Sequence, residues 1–322
     1  MINERTHIVS YFKKSLLKIK NPVLLKLGLS LPAFIHHLSV RVSRSEKGNT
    51  IELRNGARIL KISDKHLAYA GDIINNFDFY FNAVEPTLKS GFMVVDYSKP
   101  FQHVLKESKT PFYFVSLPEP LETINYYIEK SNLKKGDVVF DLGAYCGVST
   151  WAFANRVGNE GCVYAFEPDP ENYEAILKNI ALHDLKNVIL IKKGVWSSST
   201  QLYFQSEGNL GSGIASVTNR QSNLVKIDTV SLEDFCESQK IQKVDYIKMD
   251  IEGSEVEVIK SSFGFIKKYL PCFIIEPHIV DGTLVDTQLK EMFETLNYTC
   301  EVISQIGSKS SLLYAFPNAS NQ

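Results

Sequence analysis

The chain has 322 residues, of which 44% are hydrophobic and 22% are charged, a composition typical of globular proteins with a full buried core. Its 35 basic and 36 acidic side chains leave a formal net charge of −1, which argues against a nucleic-acid partner because such binding needs clustered Lys and Arg. This near neutrality, together with 15 tyrosines and 19 phenylalanines, excludes an intrinsically disordered protein.

Cysteine usage and the apolar runs predict a cytoplasmic protein. The five cysteines form no CxxC pair and lie mostly in or beside apolar runs, as reduced core cysteines do. No apolar run approaches the ~20 residues needed to span a bilayer. Lys13, Lys14, Lys18 and Lys20 interrupt the apolar residues near the N-terminus, which is unlike a secretory signal peptide.

Residues 1–45 form a basic segment with eight Lys and Arg residues and one acid, Glu4. Ile8, Phe12, Leu16 and Ile19 recur at helical spacing, which predicts an amphipathic basic helix up to Asn21-Pro22. One hypothesis is peripheral contact with an anionic membrane. The alternative, which we favour, is a helix packed on its own domain or on a second subunit of a homo-oligomer.

Residues 46–120 are interpreted as a small β-rich domain, so that the chain carries an N-terminal α+β extension. Asn55-Gly56, flanked by alternating apolar residues at 51, 53, 59 and 62, predicts a hairpin with a primed turn. A short helix is expected near 72–83, and further apolar runs occupy 92–95 and 112–117.

Residues 121–322 alternate between strands and helices after a first helix at 121–131. Strands are predicted at 137–142, 162–166, 188–192, 246–249, 273–276, 299–303 and 312–316. Helices are predicted at 148–156, after Asp169-Pro170, and after Ser254, where Glu257 completes a capping box. This order predicts an α/β fold whose seven-stranded sheet is mostly parallel, with helices on both faces and an antiparallel edge.

The loop after the first of these strands has a composition that favours an amino-acid-like ligand. Its sequence is Asp141-Leu142-Gly143-Ala144-Tyr145-Cys146-Gly147. Gly143 permits a tight turn, and Gly147 lets the next helix start close by. Asp141 would repel a pyrophosphate but can pair with an amino group. The G-x-G-x-x-G fingerprint of dinucleotide-binding proteins is incomplete, which disfavours a nicotinamide-dependent dehydrogenase.

Glu167 ends the second strand, where its carboxylate can accept hydrogen bonds from both hydroxyls of an adenosine ribose. The alternative is a carboxylate that only starts the following helix.

These residues carry a family resemblance. The loop at 141–147 together with Glu167 resembles the S-adenosylmethionine-binding core of class I methyltransferases. The string Lys248-x-Asp250-x-Glu252-Gly253-x-Glu255, followed by Glu276-Pro277-His278, resembles the FkbM family of O-methyltransferases. The resemblance covers roughly residues 121–316, and it departs at Tyr145, where the family commonly has Asn.

The resemblance implies a Rossmann-like class I fold and an S-adenosylmethionine-dependent O-methyltransferase that releases S-adenosylhomocysteine. It places the methionine part of the cofactor at the loop, the ribose at Glu167 and the adenine near residues 194–196, which are expected to close the third strand. The positions implied in cofactor binding are Asp141, Gly143, Ala144, Tyr145, Gly147, Glu167, Val195, Trp196 and Asp250. Trp196 would stack on the adenine, and an ordinary core tryptophan is the alternative.

Methyl transfer to a hydroxyl benefits from a general base, and we expect His278 in that role with Asp250 as the second candidate. The alternative for His278 is a hydrogen-bonded structural histidine. The residues expected to contact the acceptor are Glu252, Glu276, Tyr126 and Tyr127.

A metal ion is a less favoured alternative at the same cleft. Asp250, Glu252, Glu276 and His278 could hold a Mg²⁺ ion that binds a substrate diol. Because Glu252 could equally pair with Lys248 or cap the helix at Ser254, we predict a site without a metal.

The resemblance implies a small-molecule, glycan or lipid-linked acceptor, methylated on a hydroxyl of a sugar or secondary metabolite. Residues 1–120 lie outside the matched core and are the expected selectivity element or subunit interface. A non-catalytic S-adenosylmethionine-binding scaffold remains the alternative function. An intact pair of Asp141 and Glu167 in a protein without measurable methyl transfer would indicate it.

Overall fold

The structure is a computed structural model that describes residues 20–46, 48–119, 121–205, 213–214, 224–280, 282–304 and 311–318. The chain divides into two compact units, Met1–Pro118 and Glu119–Gln322. Most of the predicted basic amphipathic helix lies outside the described residues, which begin at Lys20. Within the described part, no helix combines the length and hydropathy needed to cross a bilayer.

The first unit opens with helix α1 (Pro22–Ile35). Asn21-Pro22 begins this helix, and the helix predicted to end at this pair lies almost entirely outside the described residues. The Asn21 side chain accepts hydrogen bonds from the backbone N–H groups of Val23 at 2.9 Å and Leu24 at 3.4 Å. The pair is a favourable helix start because Asn is a strong N-cap and Pro needs no N–H partner in the first turn.

A five-stranded sheet follows α1. Its strands are β1 (Ser39–Ser45), β2 (Gly48–Asn55), β3 (Arg58–Ser63), β4 (Thr87–Lys89) and β5 (Phe92–Asp96), in the order β1-β2-β3-β5-β4. The predicted hairpin across Asn55-Gly56 is confirmed by the pairing of Asn55 with Arg58. The sheet starts earlier than expected, within the basic segment 1–45, because Val40 and Val42 alternate with exposed polar residues.

The remaining elements of the first unit are short. They are a 3-10 helix (Asp64–Tyr69), α2 (Ala70–Asn75), α3 (Phe77–Asn82), and a hairpin of β6 (Phe101–Val104) and β7 (Pro111–Phe114). The single helix predicted near 72–83 is therefore two helices, separated at Asn76, whose φ of −117° and ψ of 37° are not helical.

The second unit is built on a seven-stranded sheet. Its strands are β8 (Val138–Leu142), β9 (Cys162–Phe166), β10 (Val188–Ile191), β15 (Tyr246–Met249), β16 (Cys272–Ile275), β19 (Tyr298–Ser304) and β20 (Ser311–Pro317). The strand order is β10-β9-β8-β15-β16-β20-β19, in which only β20 runs antiparallel to the rest. The predicted α/β fold with a mostly parallel Rossmann-like sheet is confirmed.

In the part of this unit that the structure describes, seven helices accompany the sheet. They are α4 (Leu121–Ser131), α5 (Val148–Val157), α6 (Pro170–Leu182), α7 (Leu232–Gln239), α8 (Glu255–Ser261), α9 (Phe263–Tyr269) and α10 (Asp286–Thr295). The chain adds β9 and β10 on one side of β8 and adds β15 and β16 on the other side. Because crossovers between parallel strands are right-handed, this reversal puts helices on both faces and opens a crevice at the carboxyl ends of β8 and β15.

A small second sheet lies between β10 and β15 in the chain. It contains β11 (Gly194–Val195), β12 (Gln201–Gln205), β13 (Gly213–Ile214) and β14 (Leu224–Val230), in the order β11-β14-β12-β13. The expectation that residues 194–196 close the third strand was wrong. That strand ends at Ile191, and β11 pairs in parallel with β14.

A two-stranded hairpin of β17 (Ile279–Val280) and β18 (Thr283–Leu284) completes the described elements. The predicted capping box is not formed. Ser254 does precede α8, but its side chain makes no capping hydrogen bond, and its own backbone is helical at φ −95° and ψ −1°. An N-cap side chain reaches the first turn from an extended backbone, which Ser254 lacks.

Candidate functional site

The loop between β8 and α5 is shaped by residues with positive φ. Gly143 has φ +76°, and a Cβ at this position would lie 1.8 Å from the carbonyl oxygen of Asp250. Gly147 has φ +85° and precedes α5. Tyr145 adopts φ +50°, a left-handed conformation that Asn tolerates better than an aromatic residue. Gly143 therefore allows the loop to pass directly against the end of β15.

Glu167 is held beneath this loop by backbone donors. The N–H of Tyr145 donates to Oε2 at 2.9 Å, and the N–H of Asp169 donates to Oε1 at 2.8 Å. Burial raises the pKa of Glu167 to about 8, although these hydrogen bonds favour the carboxylate. The sequence thus positions an acid at the tip of β9, next to the loop, as predicted.

A pocket lies at the carboxyl ends of β8, β9 and β15. The described residues that line it are Gly143, Tyr145, Phe166, Glu167, Pro168, Asn172, Lys193, Gly194, Val195, Phe204, Ile227, Asp250, Ile251, Glu252 and Ser254. One wall is apolar and comes largely from the small second sheet, through Val195, Phe204 and Ile227. An acidic side chain beside an apolar wall is an arrangement suited to a ribose with its attached base.

Six of the predicted site residues line this pocket, namely Gly143, Tyr145, Glu167, Val195, Asp250 and Glu252. Asp141, Ala144, Gly147, Trp196 and His278, also predicted for the site, are not among the described lining residues. Sequence reasoning missed Phe204 and Ile227. The alternation of apolar and polar residues within β12 and β14 predicts that one face of each strand is buried. Nothing in the sequence indicates that this face lies against the pocket.

Asp141 lies in the protein interior, within a polar network. It is fully buried, and its Oδ2 accepts hydrogen bonds from Ser149 Oγ at 2.8 Å and Thr150 Oγ1 at 2.6 Å. Lys248 lies opposite it on the neighbouring strand, with Nζ 3.5 Å from Oδ1. Within the described residues, Oδ1 accepts no hydrogen bond.

Lys248 ties this network to the loop, a role that sequence reasoning did not assign. Its Nζ donates to the carbonyl oxygen of Gly143 at 2.6 Å and lies 3.8 Å from Asp250 Oδ2. Burial alone would lower the pKa of Lys248, but the carboxylates of Asp141 and Asp250 outweigh it and raise this pKa. Lys248 is therefore a buried cation that bridges the loop, β8 and the end of β15.

Asp250 and Glu252, which line the pocket, form a carboxylate–histidine cluster with His278, which is not among the described lining residues. His278 Nε2 lies 3.6 Å from Asp250 Oδ1 and 3.5 Å from Glu252 Oε2. Its Nδ1–H donates to Oε1 of the fully buried Glu255 at 2.8 Å. The ligand atoms of the cluster lie within 4.8 Å of one another, close enough to share a metal ion.

The pKa values in this cluster shift upward. Burial would lower the pKa of His278, but the hydrogen bond to Glu255 and the charges of Glu252 and Asp250 raise it to about 10. Burial raises the pKa of Glu252 to about 8, against the opposing effect of His278. These shifts favour the imidazolium form of His278 at neutral pH, a form that cannot accept a proton.

The residues expected beside the acceptor lie partly elsewhere. Tyr127 is buried, its hydroxyl donates to Glu276 Oε2 at 3.4 Å, and its backbone oxygen accepts from Tyr246. Tyr126 is half-buried. Neither tyrosine nor Glu276 is among the described residues that line the pocket. Glu119, which sequence reasoning did not consider, is buried near Lys248, and burial raises its pKa to about 8.

Residues 141–300 match the family model described as the methyltransferase FkbM domain. This match spans the loop, Glu167 and the string from Lys248 to Glu255, on which the predicted resemblance depends.

Curated relatives cover part of this region. The hexuronic acid methyltransferase AglP of Haloferax volcanii is 28% identical over 127 residues, which are 39% of this chain and 50% of that protein. Methyltransferase sdnD of Sordaria araneosa is 26% identical over 162 residues, 40% of this chain and 62% of that protein. The chain thus spans about half to three fifths of the length of these relatives.

Among solved structures, the methyltransferase FkbM from Methylobacillus flagellatus is similar at a TM-score of 0.44 and 17% identity, over 60% of this chain and 50% of that one. A SAM-dependent methyltransferase from Aquifex aeolicus is similar at a TM-score of 0.38 and 16% identity, over 62% of this chain and 92% of that one. The family prediction itself is confirmed by the sequence match: the chain contains a methyltransferase domain of the FkbM family.

Proposed function

We propose that the chain is an S-adenosylmethionine-dependent O-methyltransferase that acts on a hydroxyl of a sugar, glycan or secondary-metabolite acceptor. The observation that carries the proposal is the pocket itself. Glu167 and the apolar wall from the second sheet line it, and so do Asp250 and Glu252, the two carboxyl groups of the carboxylate–histidine cluster.

The residues around Glu167 fit the adenosine part of the cofactor. Its carboxylate would accept the ribose hydroxyls, and Val195, Phe204 and Ile227 would pack on the adenine. The cofactor, when bound, supplies a methyl group activated by a sulfonium.

The chain's own residues would bind the acceptor and receive its proton. In this proposal His278 is not the base, because it is already protonated at neutral pH. Glu252 is better matched, since it lines the pocket and its pKa of about 8 is close to the operating pH of most enzymes. His278 would pair with the carboxylate of Asp250, and with that of Glu252 once Glu252 has lost its proton, while Glu255 holds the imidazole through Nδ1.

A sugar acceptor is supported by two observations. Carboxylates such as Asp250 and Glu252 accept hydrogen bonds from several hydroxyls at once. The relative AglP is named as a hexuronic acid methyltransferase.

A divalent cation at the carboxylate–histidine cluster is the alternative way to bind a diol, since its ligand atoms lie within 4.8 Å of one another.

The test is methyl transfer from isotopically labelled S-adenosylmethionine to a panel of sugars, uronic acids and lipid-linked glycans, followed by mass spectrometry. We expect a labelled O-methyl product from at least one acceptor class and its loss in Glu252→Gln. Glu174→Gln is the matched control, because Glu174 is exposed on α6 and lies outside the pocket lining. Cofactor binding without transfer to any acceptor would instead favour the non-catalytic scaffold.

A further inference from the structure

Helix α1 of the first unit has two opposite apolar faces. Leu25, Leu29 and Ala33 are at most 1% exposed and pack into the unit. A second set of apolar side chains is between 55% and 76% exposed: Val23, Leu24, Leu27, Leu31, Phe34 and Ile35. We call this second set the α1 apolar stripe.

The stripe is continuous. At about 100° of rotation per residue, its six side chains fall within an arc of about 120°, centred opposite the buried set. The helix is about 21 Å long at 1.5 Å per residue, so the stripe runs along a substantial surface. Monomeric proteins rarely expose a contiguous apolar surface of this kind, and when they do it commonly marks an interaction site.

Charge limits what can cover the stripe. Lys20 just before α1, Lys26 on α1, and Arg41 and Arg44 on β1 are all exposed, and no Asp or Glu occurs between residues 5 and 45. A second copy would bring the same cations face to face. The segment before residue 20 is itself basic, with Arg5 and three lysines against Glu4. Like-charge repulsion therefore disfavours both a second copy and the N-terminal segment as the partner that covers the stripe.

We propose that the α1 apolar stripe binds the surface of an anionic lipid bilayer, with the helix lying in the plane of the interface. An apolar face inserts at the boundary between head groups and acyl chains, and flanking cations interact with anionic lipids. The stripe is too short to span a bilayer, consistent with the lack of a spanning helix in the described residues. This inference is independent of the proposed methyl transfer, although a lipid-bound enzyme would reach lipid-linked acceptors.

The experiment is co-sedimentation of the purified full chain with phosphatidylcholine vesicles and with vesicles containing equal parts of phosphatidylcholine and phosphatidylserine. We expect binding to the anionic vesicles that weakens as salt is added, because salt screens the flanking charges. Leu27→Ser/Leu31→Ser should reduce the partition coefficient at least tenfold, and Lys20→Gln/Lys26→Gln should reduce the preference for anionic lipid.

The matched control is Leu88→Ser/Val302→Ser, which replaces apolar residues that are 73% and 55% exposed on strands elsewhere. These changes should leave vesicle binding unaltered, and unchanged thermal midpoints in all variants would exclude misfolding. Equal binding to both vesicle types, no binding to either, or wild-type binding by Leu27→Ser/Leu31→Ser would overturn the proposal. So would a wild-type dimer that Leu27→Ser/Leu31→Ser converts to a monomer, since the stripe would then be a subunit interface.

Discussion

Replacing Lys248 with methionine removes the buried cation that connects the glycine loop to β8 and β15. Lys248 is 1% exposed, donates to the Gly143 carbonyl at 2.6 Å, and lies 3.5 Å from the fully buried Asp141. The variant leaves Asp141 as a buried carboxylate without a counter-charge. Breaking one partner of such a pair typically costs about 3–5 kcal/mol of folding free energy.

The assay is urea unfolding of the full chain, with Lys243→Met as the matched control. Lys243 also pairs with two aspartates, Asp137 at 3.5 Å and Asp245 at 3.0 Å, but its side chain is 52% exposed. Its replacement should cost only about 0–1 kcal/mol, because exposed ion pairs contribute little.

Lys248→Met combined with Asp141→Leu should recover part of the loss, since no unpaired charge is left in the interior. If Lys248→Met proves too unstable to purify, Asp141→Leu/Lys248→Met provides the comparison with wild type. Equal losses of unfolding free energy in Lys248→Met and Lys243→Met would contradict this expectation, because burial would then make no difference to the contribution of the ion pair.

Four further outcomes are expected. Glu167→Ala should weaken S-adenosylhomocysteine binding by about 2 kcal/mol in a titration, and Glu174→Gln should not. Equal affinities of Glu167→Ala and wild type would show that the ribose does not bind at Glu167. The free energy of unfolding should fall as pH rises from 5 to 8, because burial raises the pKa of Glu119, Glu167 and Glu252 to about 8 and the folded state then holds protons that the unfolded state has lost. A rise in stability across this range by urea unfolding would contradict those shifts. The methyl-transfer rate should increase through about pH 8 as Glu252 loses its proton, and Glu252→Gln should abolish that increase; a flat wild-type profile would exclude Glu252 as the base. Chelation with EDTA should leave the rate unchanged, whereas a loss restored by Mg²⁺ would place a cation at the carboxylate–histidine cluster.

The second unit could be predicted closely because its strands are short apolar runs between recognisable helix starts. Asp169-Pro170 is such a start, and the Asp169 side chain caps α6 through the backbone N–H groups of Glu171 and Asn172. Glu167 could be placed for the same reason, since its position follows directly from the end of β9. Periodicity and capping are local signals, and they are sufficient where one element follows another in the chain.

The features that sequence reasoning missed depend on contacts between distant elements. The partner of Asp141 is set by the pairing of β8 with β15, which brings Lys248 opposite it across more than one hundred residues. The pKa of His278 depends on its hydrogen bond to Glu255. In the sequence, Glu255 is recognisable only as a residue near the start of a helix. Phe204 and Ile227 reach the pocket only because the second sheet folds against it.

Binding of S-adenosylmethionine in the pocket beside Glu167 is the step on which the proposed function depends. Isothermal titration of the full chain with S-adenosylhomocysteine measures this binding directly. We expect saturable binding at a single site per chain, a weaker affinity in Glu167→Ala, and no binding of NADH in the same cell. Absence of heat with S-adenosylhomocysteine alongside saturable binding of NADH would contradict it.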